Sequence, residues 1–208
     1  MNRRELLAAT GALTIVSFVP KGVYAQATPA AGGYPTLQID VHDDGYTLPA
    51  AIPAGRTFVT ISNKGTQGSH TSLGRVPEGT TKEDILAAND QTDPEAPAPD
   101  WFWNTTWVGL PDWPKPGESV SGIVDLQPGL ALVLNPIGDQ KPSIVEITGT
   151  FSNAAEPAAD ATVLLGAMTI TLPADGLKSG KQRVKIENKD AVEHEFAVLP
   201  LPAVVDIT

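Results

Sequence analysis

The strongest constraint on the fold is a pattern that occurs twice along the chain. Residues 58–70 read FVTISNKGTQGSH and residues 184–194 read VKIENKDAVEH, which places the two Asn-Lys pairs 125 residues apart. Each copy has an alternating strand pattern, a turn and then a histidine, and each is preceded by a Leu-Pro pair, at 48–49 and at 172–173. Self-similarity at a fixed spacing predicts a chain built from repeated modules.

Strand signals dominate the rest of the chain. Apolar residues alternate with polar ones or form short runs bounded by turn residues. These stretches lie at 37–41, 58–61, 120–126, 130–134 and 144–151. The 19 glycines and 19 prolines supply frequent turns, as all-β domains require. The sequence therefore predicts an all-β fold.

One helix is predicted to interrupt the strands. Thr80 is placed to cap it and Glu83 to reach back in a Thr-x-x-Glu capping box, with an apolar face at 85–88 and an end at Asn89.

The two copies differ in completeness. Residues 36–152 form one full module, long enough for its own core, and residues 153–160 are an alanine-rich linker. Residues 161–208 form a partial second module, because nothing in them matches residues 119–151. We expect either a truncated sequence or packing of this half-module on the first domain, in preference to completion by another chain.

The repeated unit resembles the cupredoxin family, the β-sandwich domains of blue copper proteins. The resemblance covers most of residues 36–208 and implies a Greek-key β-sandwich. In that family the turn-plus-histidine segment supplies the first copper ligand, which corresponds to His70 and, by the repeat, to His194. The other ligands are a cysteine, a second histidine and usually a methionine, on a loop after a late apolar strand that matches residues 128–134.

The copper ligands of the family are largely missing from that loop. Alignment places Asn135 at the cysteine position and Ser143 at the second histidine position, and the two methionines, Met1 and Met168, lie elsewhere. Type 1 copper requires a thiolate, and the chain has no cysteine. The resemblance thus implies the fold without the type 1 site. No cofactor is expected, and copper held by His70 and His194 is the alternative.

The N-terminus has the features of an export signal. Arg3 and Arg4 precede an apolar stretch at 6–19, as in a twin-arginine signal, and a small residue, Ala25, stands at the expected cleavage position. The apolar stretch is shorter than the roughly 20 residues that span a bilayer. We therefore expect cleavage of residues 1–25, a flexible mature N-terminus at 26–35, no stable membrane span in the mature chain, and a periplasmic, cell-surface or secreted location.

Charge and composition limit the partners. The net charge of −10 disfavours nucleic acids and anionic membranes. A protein or a small ligand is the expected partner. An acidic, proline-rich insertion at 90–118 holds all the tryptophans: Trp101, Trp103, Trp107 and Trp113. They form either a surface for a sugar, another planar ligand or a protein, or a lid over one end of the sandwich.

Catalytic motifs are absent from the sequence. It has no nucleophile elbow, no zinc-protease motif, no phosphate-binding loop and no cysteine nucleophile. The sequence favours an exported, non-catalytic, cupredoxin-like binding or structural domain. Two alternatives stay open: a copper-binding or electron-transfer protein using His70 and His194 or a site in a missing C-terminal half, and a carbohydrate-binding module acting through the tryptophans.

Overall fold

The computed structural model describes residues 33–89, 96–108, 114–136, 140–180, 182–192, 194 and 196. The predicted signal at 1–25 lies outside these residues. The chain divides into two compact units between Ala154 and Ala155. The finer predicted boundaries of modules and linker stay predictions.

In its described residues the first unit has eight strands and two short helices, so the predicted all-β fold is confirmed. The strands are β1 (Thr36–His42), β2 (Gly45–Thr47), β3 (Ala51–Asn63), β4 (Ser72–Arg75), β5 (Thr106–Val108), β6 (Ser119–Leu126), β7 (Gly129–Leu134) and β8 (Ser143–Ser152). The helices are α1 (Lys82–Asn89) and α2 (Asp100–Trp103).

The long strand β3 connects two layers of strands. Its second part pairs with β1 in parallel and with β6 in antiparallel orientation, so one layer has the order β2-β1-β3-β6. Its first part pairs with β8, which continues the second layer through β7, β4 and β5. The connections β3–β4, β5–β6 and β6–β7 pass between the layers, as in a Greek-key sandwich.

The main core lies between the two layers. Apolar residues of β1 and β3 pack in one cluster with residues of β4, β6, β7 and β8. The most deeply buried of these are Leu37, Ile39, Val41, Ala54, Val59, Ile61, Leu73, Val133 and Val145. Alternation along β1 and the second part of β3 follows from this arrangement, since every second side chain points into the core.

Gly55 allows β3 to pass from one layer to the other. The register of β3 against β8 shifts between Pro53 and Gly55, and Gly55 has φ of +142°. A Cβ at this position would lie 2.8 Å from the carbonyl oxygen of Ser152. Glycine is required here by both the backbone conformation and the close approach of β8.

The predicted capping box is displaced by one residue. The backbone N–H of Thr81, not Thr80, donates to the Asp84 carboxylate at 2.8 Å, and the Asp84 N–H donates to Thr81 Oγ1 at 3.1 Å. The backbone N–H and the hydroxyl of Thr81, which both donate to the Asp84 carboxylate, hold its pKa below the usual value. The assignment of Thr80 and Glu83 was wrong. Thr80 and Thr81 are each followed three residues later by an acid, so the sequence fits a capping box at either threonine, and helix α1 starts at Lys82, directly after Thr81.

The second unit contains a small sheet. Its strands are β9 (Ala161–Gly166), β10 (Thr169–Thr171) and β11 (Val184–Asn188), in the order β10-β9-β11. β9 pairs antiparallel with β10 and parallel with β11. The Arg183 guanidinium donates to the carbonyl of Ala158, and the Asp160 N–H donates to the Arg183 carbonyl. The later part of the predicted linker is thus bonded to the second unit.

Within the residues that the structure describes, no helix has both the length and the apolar character needed to cross a lipid bilayer.

Candidate functional site

The strand registers gather three predicted ligand positions at one end of the second layer. β4 pairs with β7 so that Ser72 lies opposite Leu134, and β7 pairs with β8 so that Val133 lies opposite Ser143. His70 precedes Ser72 and Asn135 follows Leu134, so both lie just beyond this end of the sheet. The three positions that the sequence resemblance matched to copper ligands, His70, Asn135 and Ser143, therefore lie at the same end of this layer.

Asn135 is a buried hydrogen-bonding residue. Its side chain is 5% exposed, and its Nδ2 donates to Oε1 of the equally buried Gln140 at 2.7 Å. One hydrogen bond thus joins two buried carboxamides. Asn135, which the sequence alignment matched to the cysteine of the family, supplies an amide and no thiolate. These donors do not fit type 1 copper, whose chemistry depends on sulfur.

The neighbours of His70 in the chain form a second polar pair. The hydroxyls of Ser69 and Thr71 lie 3.1 Å apart, and both side chains are buried. Tyr46 places its hydroxyl beside them, where burial raises the pKa of the phenol and the Thr71 and Ser69 hydroxyls partly offset this effect. The phenol stays protonated at every physiological pH. His70 itself is half-buried between these two hydroxyl residues.

Asn63 shapes the loop that leads to His70. Its Oδ1 accepts from the Gly65 N–H at 2.9 Å, and its Nδ2 donates to the carbonyls of Gln67 at 2.7 Å and Pro114 at 2.8 Å. Asn63 is 1% exposed. This side chain therefore fixes the turn after β3 and ties it to the segment before β6.

The second unit uses the same local bonds at the corresponding asparagine. Asn188 Oδ1 accepts from the Asp190 N–H at 2.9 Å, and Asn188 Nδ2 donates to the Val192 carbonyl at 2.6 Å. In each unit the lysine after the asparagine donates its backbone N–H to the first strand at 2.7 Å: Lys64 to Val41, and Lys189 to Leu165. The two Asn-Lys turns thus have the same hydrogen-bonding geometry.

His194 is paired with an acid. Its Nε2 lies 3.0 Å from Oδ2 of Asp190, and this bond is the main cause of the lowered pKa of the Asp190 carboxyl. A surface cavity of about 200 Å³ is lined by Leu165, Gly166, Met168, Thr169, Ile170 and His194. Met168 has φ of 57° in the β9–β10 turn; its presence in this cavity could not be read from the sequence, in which it is 26 residues from His194.

The structure places the two candidate metal ligands in different units, His70 in the first and His194 in the second. Among the described residues, histidines and acids do not form any group of three or more suited to a metal ion. Metal binding by His70 or His194 stays a prediction.

Aromatic residues from the described part of the tryptophan insertion cover the outer face of β7 and β8. Trp101, Phe102 and Trp107 pack against a second apolar cluster, formed by Val76, Ile85, Leu132 and Leu134. Phe102 is at the centre, with ring centroids 5.9 Å from Trp101, 5.3 Å from Trp103 and 6.0 Å from Trp107, all edge-to-face. The described part of the insertion, residues 96–108 and 114–118, thus packs as a lid on a sheet face, whereas the sequence suggested a lid over an end of the sandwich. Trp113 lies outside the described residues.

Gly74 makes this packing possible. It lies opposite Trp107 in the β4–β5 register, and a Cβ at Gly74 would lie 2.7 Å from the Trp107 ring. The absence of a side chain on β4 therefore creates the space that the Trp107 indole occupies.

Comparisons with solved structures include the following two likenesses. A crystal structure of dithionite-reduced auracyanin from the photosynthetic bacterium Roseiflexus castenholzii is 16% identical, with a TM-score of 0.34, over 55% of this chain and 97% of that chain. A multicopper oxidase is 12% identical, with a TM-score of 0.33, over 82% of this chain and 59% of that chain. No protein-family model and no curated protein matches the chain.

Proposed function

We propose that this chain is an exported, non-catalytic, cupredoxin-like protein that acts through binding or as a structural component and lacks type 1 copper. The β-sandwich of the first unit, the Asn-Lys turn before His70 and the late apolar strand β7 support the cupredoxin-like assignment. The matching hydrogen bonds of Asn63 and Asn188 support an internal repeat.

The observation that carries the proposal is the Asn135–Gln140 pair. A buried carboxamide that donates a 2.7 Å hydrogen bond at the cysteine position provides packing and rigidity, since buried polar groups stabilise a loop when their bonds are satisfied. It provides no redox ligand. The buried hydroxyls of Ser69 and Thr71 form a second hydrogen-bonded pair just before β4, at the same end of the β4–β7 ladder.

A Cu(II) titration of the full chain tests the loss of the copper site, read by visible absorption and electron paramagnetic resonance. We expect no intense charge-transfer band and no stoichiometric binding that depends on His70. His70→Ala and His194→Ala are compared with His42→Ala, a matched control on the half-buried histidine at the end of β1, to separate specific from non-specific binding. Stoichiometric Cu(II) binding lost in His70→Ala or His194→Ala but kept in His42→Ala would establish the copper-binding alternative instead.

The lid geometry bears on the carbohydrate-binding alternative. A stacking platform exposes aromatic faces in one plane, whereas Trp101, Trp103 and Trp107 are half-buried and meet Phe102 edge-to-face at 73–83°. These contacts favour a packing role. Tryptophan fluorescence that changes saturably with an added glycan would reverse this preference.

Export is supported by the arginine pair and the apolar stretch of the first 25 residues. The chain can be expressed in a bacterial host that has the twin-arginine pathway, and the mass of the extracytoplasmic product can then be determined. We expect a product that begins at Gln26. Retention of the full-length chain in the cytoplasm after Arg3→Lys and Arg4→Lys would identify the pathway; equal export of this variant would exclude it.

A further inference from the structure

The outer edge of β11 presents a row of backbone groups. The Lys189 N–H donates to the Leu165 carbonyl on β9, and successive residues of a strand direct their backbone groups to opposite sides. Lys185 and Glu187 therefore bond to β9, while the N–H and C=O groups of Val184, Ile186 and Asn188 point away from it. In the part of the chain that the structure describes, no strand pairs with this outer edge.

The first unit shows what the corresponding edge of β3 binds. There the Lys64 N–H donates to β1, and the outward-pointing Asn63 N–H donates to the Glu118 carbonyl, just before β6. β6 runs antiparallel to β3, with Ile61 opposite Val120. The matching edge of β11 is therefore built to accept an antiparallel strand.

We propose that β11 pairs with β11 of a second copy of this chain, antiparallel about a twofold axis through Ile186. Val184 then lies opposite Asn188 of the partner subunit, and Ile186 lies opposite its own counterpart. These are hydrogen-bonded pairs, because their backbone groups point outward and the two residues of each pair exchange both N–H···O=C bonds.

Charge complementarity selects a second copy as the occupant. The same register sets Lys185 opposite Glu187 of the partner subunit, and Glu187 opposite Lys185 of the partner subunit. These are non-hydrogen-bonded pairs, in which opposed side chains approach most closely and unlike charges stabilise the pairing. Within one copy these two side chains already attract each other at 2.7 Å, so the new contacts extend a charge network that exists in the monomer.

The apolar side chains of the second unit are consistent with such pairing. Ile186 is 49% exposed at the centre of the edge, and pairing about the twofold axis brings two copies of it together. An isologous contact of this kind closes on itself, so it gives a dimer and not a chain of strands. A net charge of −10 makes two copies repel each other over most of their surface. At the β11 edge, by contrast, the Lys185–Glu187 pairs attract, so association is favoured there.

Sedimentation velocity of the full chain over a range of concentrations tests the proposal. We expect reversible monomer–dimer exchange. Lys185→Glu and Glu187→Lys each set like charges opposite each other twice, and each should weaken its own dimer by about tenfold or more. An equimolar mixture of these two variants should recover dimers, because acids of one copy then face lysines of the other. Lys178→Glu, an exposed control outside β11 with the same change in charge, should dimerise as the unmodified chain does.

Ile186→Pro supplies an independent variant. It removes an outward N–H and none of the bonds to β9, so it should abolish the dimer while circular dichroism of the chain is retained. An unmodified chain that stays monomeric at every concentration would overturn the proposal. So would a dimer that survives Ile186→Pro, or charge variants whose mixture associates no better than each alone.

Discussion

Asn63 is the residue whose removal should most directly test how the His70 loop is held. Replacement by alanine leaves the Pro114 carbonyl, the Gln67 carbonyl and the Gly65 N–H without the side-chain partners they have at 2.7–2.9 Å. The bond to Pro114 is buried and the other two are partly buried. Water can therefore replace the lost partner more readily at Gln67 and Gly65 than at Pro114.

The magnitude follows from these environments. A buried group left without its partner costs about 1–3 kcal/mol, and each partly buried bond contributes about 0.5–1 kcal/mol. Asn63→Ala should therefore lower the free energy of unfolding of the first unit by about 3 kcal/mol. Asn63→Asp should cost at least as much at neutral pH, since it sets a carboxylate against two carbonyl oxygens, and should recover stability on acidification.

Urea unfolding followed by tryptophan fluorescence is the appropriate assay, because all four tryptophans precede Ala155 and so report on the first unit. The midpoint should fall by about 1–3 M urea. Asn188→Ala removes the same pattern of local bonds in the second unit, where the side chain is exposed, and should leave the fluorescence transition in place. A loss below about 1 kcal/mol for Asn63→Ala would refute the reasoning.

Three further predictions concern other elements. Gly55→Ala should destabilise the first unit by about 2 kcal/mol or more, measured by the same urea unfolding, because φ is positive and a Cβ meets β8; a neutral effect would contradict the crossover geometry. Gly74→Ala should displace the Trp107 indole, seen as a red-shifted fluorescence maximum and a stability loss of about 1–3 kcal/mol, and unchanged emission would contradict it. The Glu187 carboxyl should titrate in nuclear magnetic resonance spectra at a pKa of about 2, lowered first by Lys185 and then by Lys189. Any stability that the ionised Glu187 contributes is present above the usual carboxyl pKa and is lost as the pH falls through about 2. Lys185→Met should raise the pKa of Glu187. Equal pKa values of Glu187 in the variant and the unmodified chain would exclude the Lys185 ion pair as the cause of the lowered pKa.

Local patterns in the sequence predicted much of the fold. Alternation at Leu37, Ile39 and Val41 arises from burial on one face, and it identified β1 directly. The continuous apolar run of β7 has a different cause: Ala131 and Val133 face the main core, while Leu132 and Leu134 face the lid. A strand covered on both faces has no alternation, so the run predicted a strand without revealing what covers it.

The candidate site was predictable only in part. The position of His70 follows from the turn that precedes it, and the lack of a thiolate follows from composition. The bond from Asn135 to Gln140 and the burial of Tyr46 beside Thr71 depend on how loops close over the end of the sheet. Such contacts join residues from different loops. They follow no helix or strand periodicity, so local sequence patterns do not predict them.

Because β3 belongs to both layers, the sandwich should open as one cooperative unit. Separation of the β1–β3–β6 layer would require breaking the ladder between β3 and β8 around the Gly55 crossover. In native-state hydrogen exchange, amides on β1 and on β7 should then exchange with similar protection and respond together to added denaturant, since regions that share a structural element unfold jointly. A strand that is hydrogen-bonded to both layers therefore couples the unfolding of one layer to that of the other.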